Sequence, residues 1–159
     1  MTEFTATETP DPSSSLFHAV TTDPILSLNP KTPLTVGPEV SIAEAVKIMQ
    51  EKRIGALLIE KENKLLGIVT ERDILFKVTG KGVDIENTAV EAIMTSHPES
   101  LTQEDQILYA LNRMTIGGYR HIPLTDLEGQ LTGIISVKDI VEYLVSLVEK
   151  AVLDHSSFQ

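Results

Sequence analysis

Gly67-Ile68-Val69-Thr70-Glu71-Arg72-Asp73-Ile74 returns 66 residues later as Gly133-Ile134-Ile135-Ser136-Val137-Lys138-Asp139-Ile140. Upstream the echo holds with a shift of 65, pairing Pro33 with Pro98, Ile42 with Ile107, Ala45 with Ala110, Met49 with Met114, and Leu57-Leu58-Ile59 with Ile122-Pro123-Leu124. The one residue gained falls in the polar turn Asp126 to Gly129. A register kept over about 50 residues with a single insertion, and that in a turn, marks a tandem duplication. A unit of half this chain's length is too small to bury both faces of its own sheet. The two copies must therefore pack on each other around a pseudo-twofold axis, which leaves two related clefts, each walled by both copies.

The elements within a copy follow from local pattern. Pro33-Leu34-Thr35-Val36 reads as a short strand bounded by Pro38. Ser41-x-x-Glu44 has the form of a capping box, and Ile42, Ala45, Val46 and Met49 recur behind it at helical spacing. Ala56 to Ile59 and Leu65 to Val69 are apolar strands on either side of a polar turn, a hairpin. A helix opens at Thr70 and runs to Gly80. The expected fold is α+β: two tandem β-α-β-β-α units packed sheet to sheet around the axis. The expected division is a flexible tail over 1–15, rich in Thr, Ser, Pro and Glu, a first unit with a short N-terminal helix over 16–80, a linker over 81–90, a second unit over 91–150 and a C-terminal tail over 151–159.

Composition removes several function classes. A net charge of -10 repels a nucleic-acid backbone, although it leaves room for a small anion where bases are gathered locally. With no cysteine there is no disulfide, thiolate site or cysteine nucleophile. No apolar run reaches the roughly 20 residues of a membrane span. Met1 to Ser15 carries no basic residue and no apolar stretch, so neither a secretory signal nor a transit peptide is expected, and the cytoplasm is the expected location. His18, His97, His121 and His155 lack metal-ligand spacing, so no metal is expected. Gly117-Gly118 reads as a helix stop. The Tyr143, Leu144, Leu147, Val148, Val152 stripe reads as a packing face.

The repeated motif lies where a strand ends and a helix begins. Free N–H groups and the helix dipole there suit a phosphate. The Thr70 or Ser136 hydroxyl can donate to a phosphate or sugar oxygen. The Asp73 and Asp139 carboxylates would repel phosphate, but their paired oxygens match the two vicinal hydroxyls of a ribose. Thr-x-x-Asp is also how a helix start is capped, with no ligand involved. Two features exceed what capping needs: a base before each Asp (Arg72, Lys138), and Tyr119-Arg120-His121 ahead of the second copy's buried strand.

On these residues, with Arg120-His121-Ile122-Pro123-Leu124 and Glu91-Ala92-Ile93-Met94-Thr95, the chain from about Pro24 to Val148 resembles a pair of CBS (cystathionine-β-synthase) domains, a Bateman module. It looks most like stand-alone two-domain forms. The resemblance implies a regulatory module binding AMP, ADP or ATP, in some members NAD(H) or S-adenosylmethionine. By that likeness Thr70 with Asp73 and Ser136 with Asp139 would hold ribose and phosphate. Backbone at Ile54, Gly55 and Ala56, and at Tyr119 to Ile122, would border adenine or phosphate. Arg72, Arg120, His121 and Lys138 would neutralise charge, and Thr35 and Thr95 complete the candidate set. The first copy has Gly55-Ala56 where the second has Arg120-His121, so the two sites are expected to be unequal.

The leading expectation is a homodimeric sensor of an adenine nucleotide, regulating an unknown protein in trans. The alternative is a structural dimerisation or adaptor module with vestigial sites. Catalysis is not expected, since no acid–base pair or nucleophile assembles.

Overall fold

The computed structural model describes residues 12–156, with side chains described from 16 to 153. In the first copy β1 (Thr35–Val36) runs parallel to β2 (Ala56–Lys61), and β2 pairs antiparallel with β3 (Lys64–Thr70). Between β1 and β2 lies α2 (Ile42–Lys52), opened by Ser41, whose Oγ accepts the Glu44 N–H at 3.2 Å. The apolar face read from the sequence is the buried one: Ile42, Ala45 and Met49 pack on Leu57, Ile59 and Val69. The opposite face of β2 and β3, carrying Ala56, Leu58 and Ile68, meets Leu131 and Ile134 of the second copy. A strand buried on both faces has no polar alternation to show, which is why Ala56–Ile59 is an unbroken apolar run.

The helix after Thr70, α3 (Glu71–Val78), is not uniform. Its first turn, Glu71–Asp73, is α-helical and Ile74–Val78 continues as a π-helix. The Ile74 carbonyl accepts the Thr79 N–H, five residues on, at 3.0 Å. Such wide turns concentrate at functional sites.

The second copy repeats the plan with α4 (Ile107–Gly117), β5 (His121–Thr125), β6 (Leu131–Ser136) and α5 (Val137–Ser156). Gly118, in the left-handed region at φ 67°, stops α4 as its sequence position suggests. The counterpart of β1 is only a bridge, Leu101 to Leu124. The cause is Pro123. In the first copy the equivalent Leu58 donates its N–H to Leu34 at 3.1 Å, and proline has no N–H to give.

The copies exchange segments. Ile25, in a 3-10 turn (Ile25–Leu28), is fully buried in the second copy's core with Ile107, Ile122 and Ile140. Its N–H donates to the Asp105 carbonyl at 2.7 Å, and Ile107 N–H donates to the Asp23 carbonyl at 3.0 Å. Lys31 bridges to Ile134. The reverse holds 65 residues later. Val90 is buried in the first copy's core, Ile42 N–H donates to the Thr88 carbonyl at 2.9 Å, and β4 (Thr95–Ser96) pairs with β3. Division of the chain near residue 81 thus follows chain order, whereas packing places residues 24–31 on the second copy and 88–96 on the first.

Both ends differ from expectation. α1 (Pro12–Thr22) begins inside the stretch expected to be loose, and α5 runs to Ser156, past the expected end at 150. Proline suits a first helical turn, α1 packs on α4 and α5, and neither Gly nor Pro interrupts 137–156. The remainder of the two expected tails, 1–11 and 157–159, lies outside the described residues. Among the described residues no helix is long and apolar enough to cross a membrane.

Candidate functional site between the two copies

The motif threonine and serine cap their helices. Thr70 accepts the Asp73 N–H at 3.4 Å and donates its hydroxyl to Asp73 Oδ2 at 2.8 Å, while Thr70 N–H donates to the same oxygen at 2.8 Å. Ser136 and Asp139 repeat the arrangement at 3.3, 2.6 and 2.7 Å. The capping alternative is therefore physically present in both copies. It occupies only one oxygen of each carboxylate. The other, Oδ1, meets a lysine: Lys77 on Asp73 at 2.8 Å and Lys31 on Asp139 at 2.9 Å. The second oxygen of each carboxylate is thus held by a lysine alone, Lys31 being largely exposed and Lys77 also donating to the Ile93 carbonyl at 2.7 Å.

Two clefts flank the pseudo-twofold axis. The first, about 300 Å³, brings Thr70, Arg72 and Asp73 together with Thr95 and with Tyr119, Arg120 and His121. The second, about 780 Å³, brings Ser136, Lys138 and Asp139 together with Ile54, Gly55 and Ala56, and with Arg120 and His121 again. Each motif thus faces the other copy's strand start, as the duplication requires. Thr35 and Ile122 do not join them. Thr35 sits in β1 opposite Leu58, and Ile122 is wholly buried in the second core.

Several lining residues escaped the sequence. Lys31 and Arg53 enter the second cleft, and Glu99 the first. Lys31 was findable, since the repeat shift of 65 places it opposite Ser96 on the exchanged strand. Glu99 holds Arg113 in a two-pronged pair at 2.5 and 3.0 Å and accepts the Tyr119 hydroxyl. Those contacts, Arg113 foremost, hold its carboxyl below the usual range, while burial and then Glu99 push the Tyr119 hydroxyl up to about 12. Glu71, an unremarked position of the motif, lines both clefts and pairs with Arg120 at 2.5 Å.

The clefts differ in charge. The second gathers Lys31, Arg53 and Lys138 against Asp139 and Glu142, besides the shared Glu71 and Arg120. The first has Arg72 against Asp73 and Glu99, with the same shared pair. Burial alone would raise the Asp139 pKa, but the Ser136 hydroxyl and Lys31 outweigh it and keep the carboxyl ionised, and Lys31 is raised in turn. His121 departs from its expected role. Burial, outweighing the neighbouring Glu71, lowers its pKa below the ordinary histidine value, which disfavours a standing positive charge there.

The second cleft's volume lies within the range of small-molecule sites, roughly 300–1,000 Å³, and the first is at its lower edge. The donor set suits an adenosyl ligand: a carboxylate oxygen for ribose, a helix start and bases for phosphate, and Ile54 or Tyr119 beside an aromatic ring.

Comparison with known proteins identifies the family of the fold. The CBS domain family model matches twice, over residues 17–80 and 90–146. The chain is 36% identical over 113 residues to an uncharacterized 17.7 kDa protein of Acidianus ambivalens, covering 70% of this chain and 67% of that one. It is 35% identical over 127 residues, 80% of its own length, to the CBS domain-containing protein CBSCBSPB3 of Arabidopsis thaliana, but spans only 23% of that longer protein. Among solved structures it superposes with a TM-score of 0.68 and 27% identity on the CBS domain pair of protein MJ0100 in complex with 5′-methylthioadenosine and S-adenosylmethionine, covering 75% of this chain and 97% of that one. A CBS domain protein of Pyrobaculum aerophilum complexed with AMP superposes with a TM-score of 0.70 at 21% identity, covering 79% of this chain and 98% of that chain, a likeness of fold. The duplicated α+β units and these matches agree, and the chain belongs to the CBS domain family as a tandem pair of CBS domains.

Proposed function

We propose that the chain is a non-catalytic regulatory module that binds an adenosyl ligand between its two CBS units and reports occupancy to a partner protein in trans. The observation that carries the reading is the second cleft. There the Asp139 oxygen that the cap leaves over, paired with the exposed Lys31, stands beside a helix start among Arg53, Arg120 and Lys138. In a protein with a net charge of -10, that gathering of bases is what an anionic ligand requires. AMP, ADP and ATP fit the phosphate-directed groups best. NAD(H) and S-adenosylmethionine share the adenosyl part, and the MJ0100 pair is recorded with the latter. Signalling follows if the ligand binds two arrangements of the units with different affinity.

A homodimer is the assembly we favour. On α5, Tyr143 and Leu144 pack inward on the second core, while Val141, Val145, Val148 and Val152 stand exposed along one outer stripe, available to a second copy. The complete satisfaction of both caps favours a second reading, an adaptor whose motif residues only start helices. Thermal shift separates the two. A ligand at 100 times its Kd adds about 2.7 kcal/mol, roughly 5–10 °C for a chain of this size. We expect such a shift with at least one of AMP, ADP, ATP, NAD, NADH and S-adenosylmethionine, and its loss in Asp139→Ala. No shift from any of them defeats the sensor reading and leaves the adaptor.

A further inference from the structure

We infer that the two clefts compete for a single cation, Arg120, so that a phosphate-bearing ligand in one weakens the binding of a second in the other. The inference rests on the proposal that the clefts take such ligands, and it goes beyond it by tying them together.

The repeat places Arg120 opposite Gly55, and Glu71 opposite Val137. The backbone keeps this symmetry: Glu71 N–H donates to the Gly55 carbonyl at 3.1 Å, and Val137 N–H to the Arg120 carbonyl at 3.0 Å. The side chains break it. One copy supplies an acid, the other a base, and they meet at 2.5 Å between the clefts. Glycine at 55 leaves the acid its present position, since a Cβ there would stand 2.8 Å from Glu71 Oε2 and push the carboxylate aside. Both residues line both clefts.

The pair is held lightly, with the Arg120 side chain 58% exposed and Glu71 47%. A phosphate in either cleft can draw Arg120 away from Glu71. Two consequences follow, and both act in one direction. The other cleft loses a cation, and the released Glu71 carboxylate faces it unpaired. Among its described residues the first cleft has no base to make good the loss, because Arg72 is bonded to the Gly118 carbonyl at 2.9 Å.

Calorimetric titration with ATP tests this. Asp139→Ala reports the first cleft alone and Asp73→Ala the second. Their two association constants, multiplied, give the product expected of independent clefts. In the wild type the measured two-step product should fall short of it by about tenfold, within the usual range of coupling between sites. In an Arg120→Ala background the shortfall should shrink to within about twofold, each step being weaker. Arg120 is exposed, and a melting curve verifies the fold of that variant. Equality of the two products in the wild type overturns the inference, as does an unchanged shortfall without Arg120, or one cleft that stays silent in every background. Absence of ATP binding by the wild type defeats instead the ligand-binding reading on which it stands.

Discussion

Ile25 lies in the chain before the first copy and packs in the core of the second. Its replacement by alanine is therefore the most telling test of the exchanged architecture. The side chain is fully buried among Leu101, Ile107, Ile122 and Ile140. Removing three carbons forfeits about 2.4 kcal/mol at about 0.8 kcal/mol per methylene. The cavity left behind raises the cost into the 2–5 kcal/mol range. With about 3 kcal/mol lost, the melting temperature should fall by roughly 6–12 °C. Denaturant unfolding gives the size of the effect, and hydrogen exchange gives its place. Exchange should accelerate first at the amides of Ile25, Leu101 and Ile107, all bonded within or onto the second core. Near-ultraviolet signals should weaken with them, since Tyr109, Tyr119 and Tyr143 all belong to the second copy. Val90→Ala should do the reverse, loosening the core around Ile42 and Val69. The exchange account is refuted if Ile25→Ala costs less than about 1 kcal/mol, or if its effect falls on Leu57 and Val69 while Ile107 stays protected.

Gly67→Ala should cost about 1–3 kcal/mol by overpacking, because its Cβ would lie 2.4 Å from Met94 Sδ and 3.0 Å from the Thr95 carbonyl of the exchanged strand. Gly133→Ala, whose nearest neighbour would be Pro30 Cβ at 3.2 Å, should cost less, and urea unfolding of both compares them. Ser136→Ala should cost about 1 kcal/mol through loss of the α5 cap, read by the same assay. Burial depresses the His121 pKa in the folded chain, so as pH falls below about 6.5 the unfolded chain takes its proton first and stability declines. A bound phosphate opposes that depression, so affinity for NAD, whose pyrophosphate keeps its charge across this range, should rise from pH 8 to pH 6 with proton uptake visible in calorimetry, and His121→Gln should flatten the dependence.

The fold was legible because duplication is a long-range signal: a shift of 65 across 42, 45, 49 and 57–59, and of 66 across 67–74, reports a shared architecture whatever each segment's own propensity. The site was legible in its first members for the same reason, since Thr70 and Asp73 recur as Ser136 and Asp139. The missed features depend on what the copies do to each other. That Ile25 and Val90 cross over has no local signature, because an apolar residue beside a turn looks alike on either core. The reduction of the second β1 to a bridge was present in Pro123 but needed the partner strand to be interpreted. Glu71 reads as a filler position in the motif, and only the approach of Arg120 across the axis gives it a place in both clefts. The lowered pKa of His121 follows from its depth, which spacing does not report.

An adenosyl ligand should sit between the two units with its ribose on a motif aspartate. A crystal structure of the chain grown with AMP at saturating concentration tests it most directly. Ribose hydroxyls are expected on the Asp139 or Asp73 carboxylate, with Lys31 or Lys77 turned from the aspartate toward the ligand. Nucleotide bound elsewhere on the surface, or both clefts empty with the two lysine–aspartate pairs intact, would contradict it.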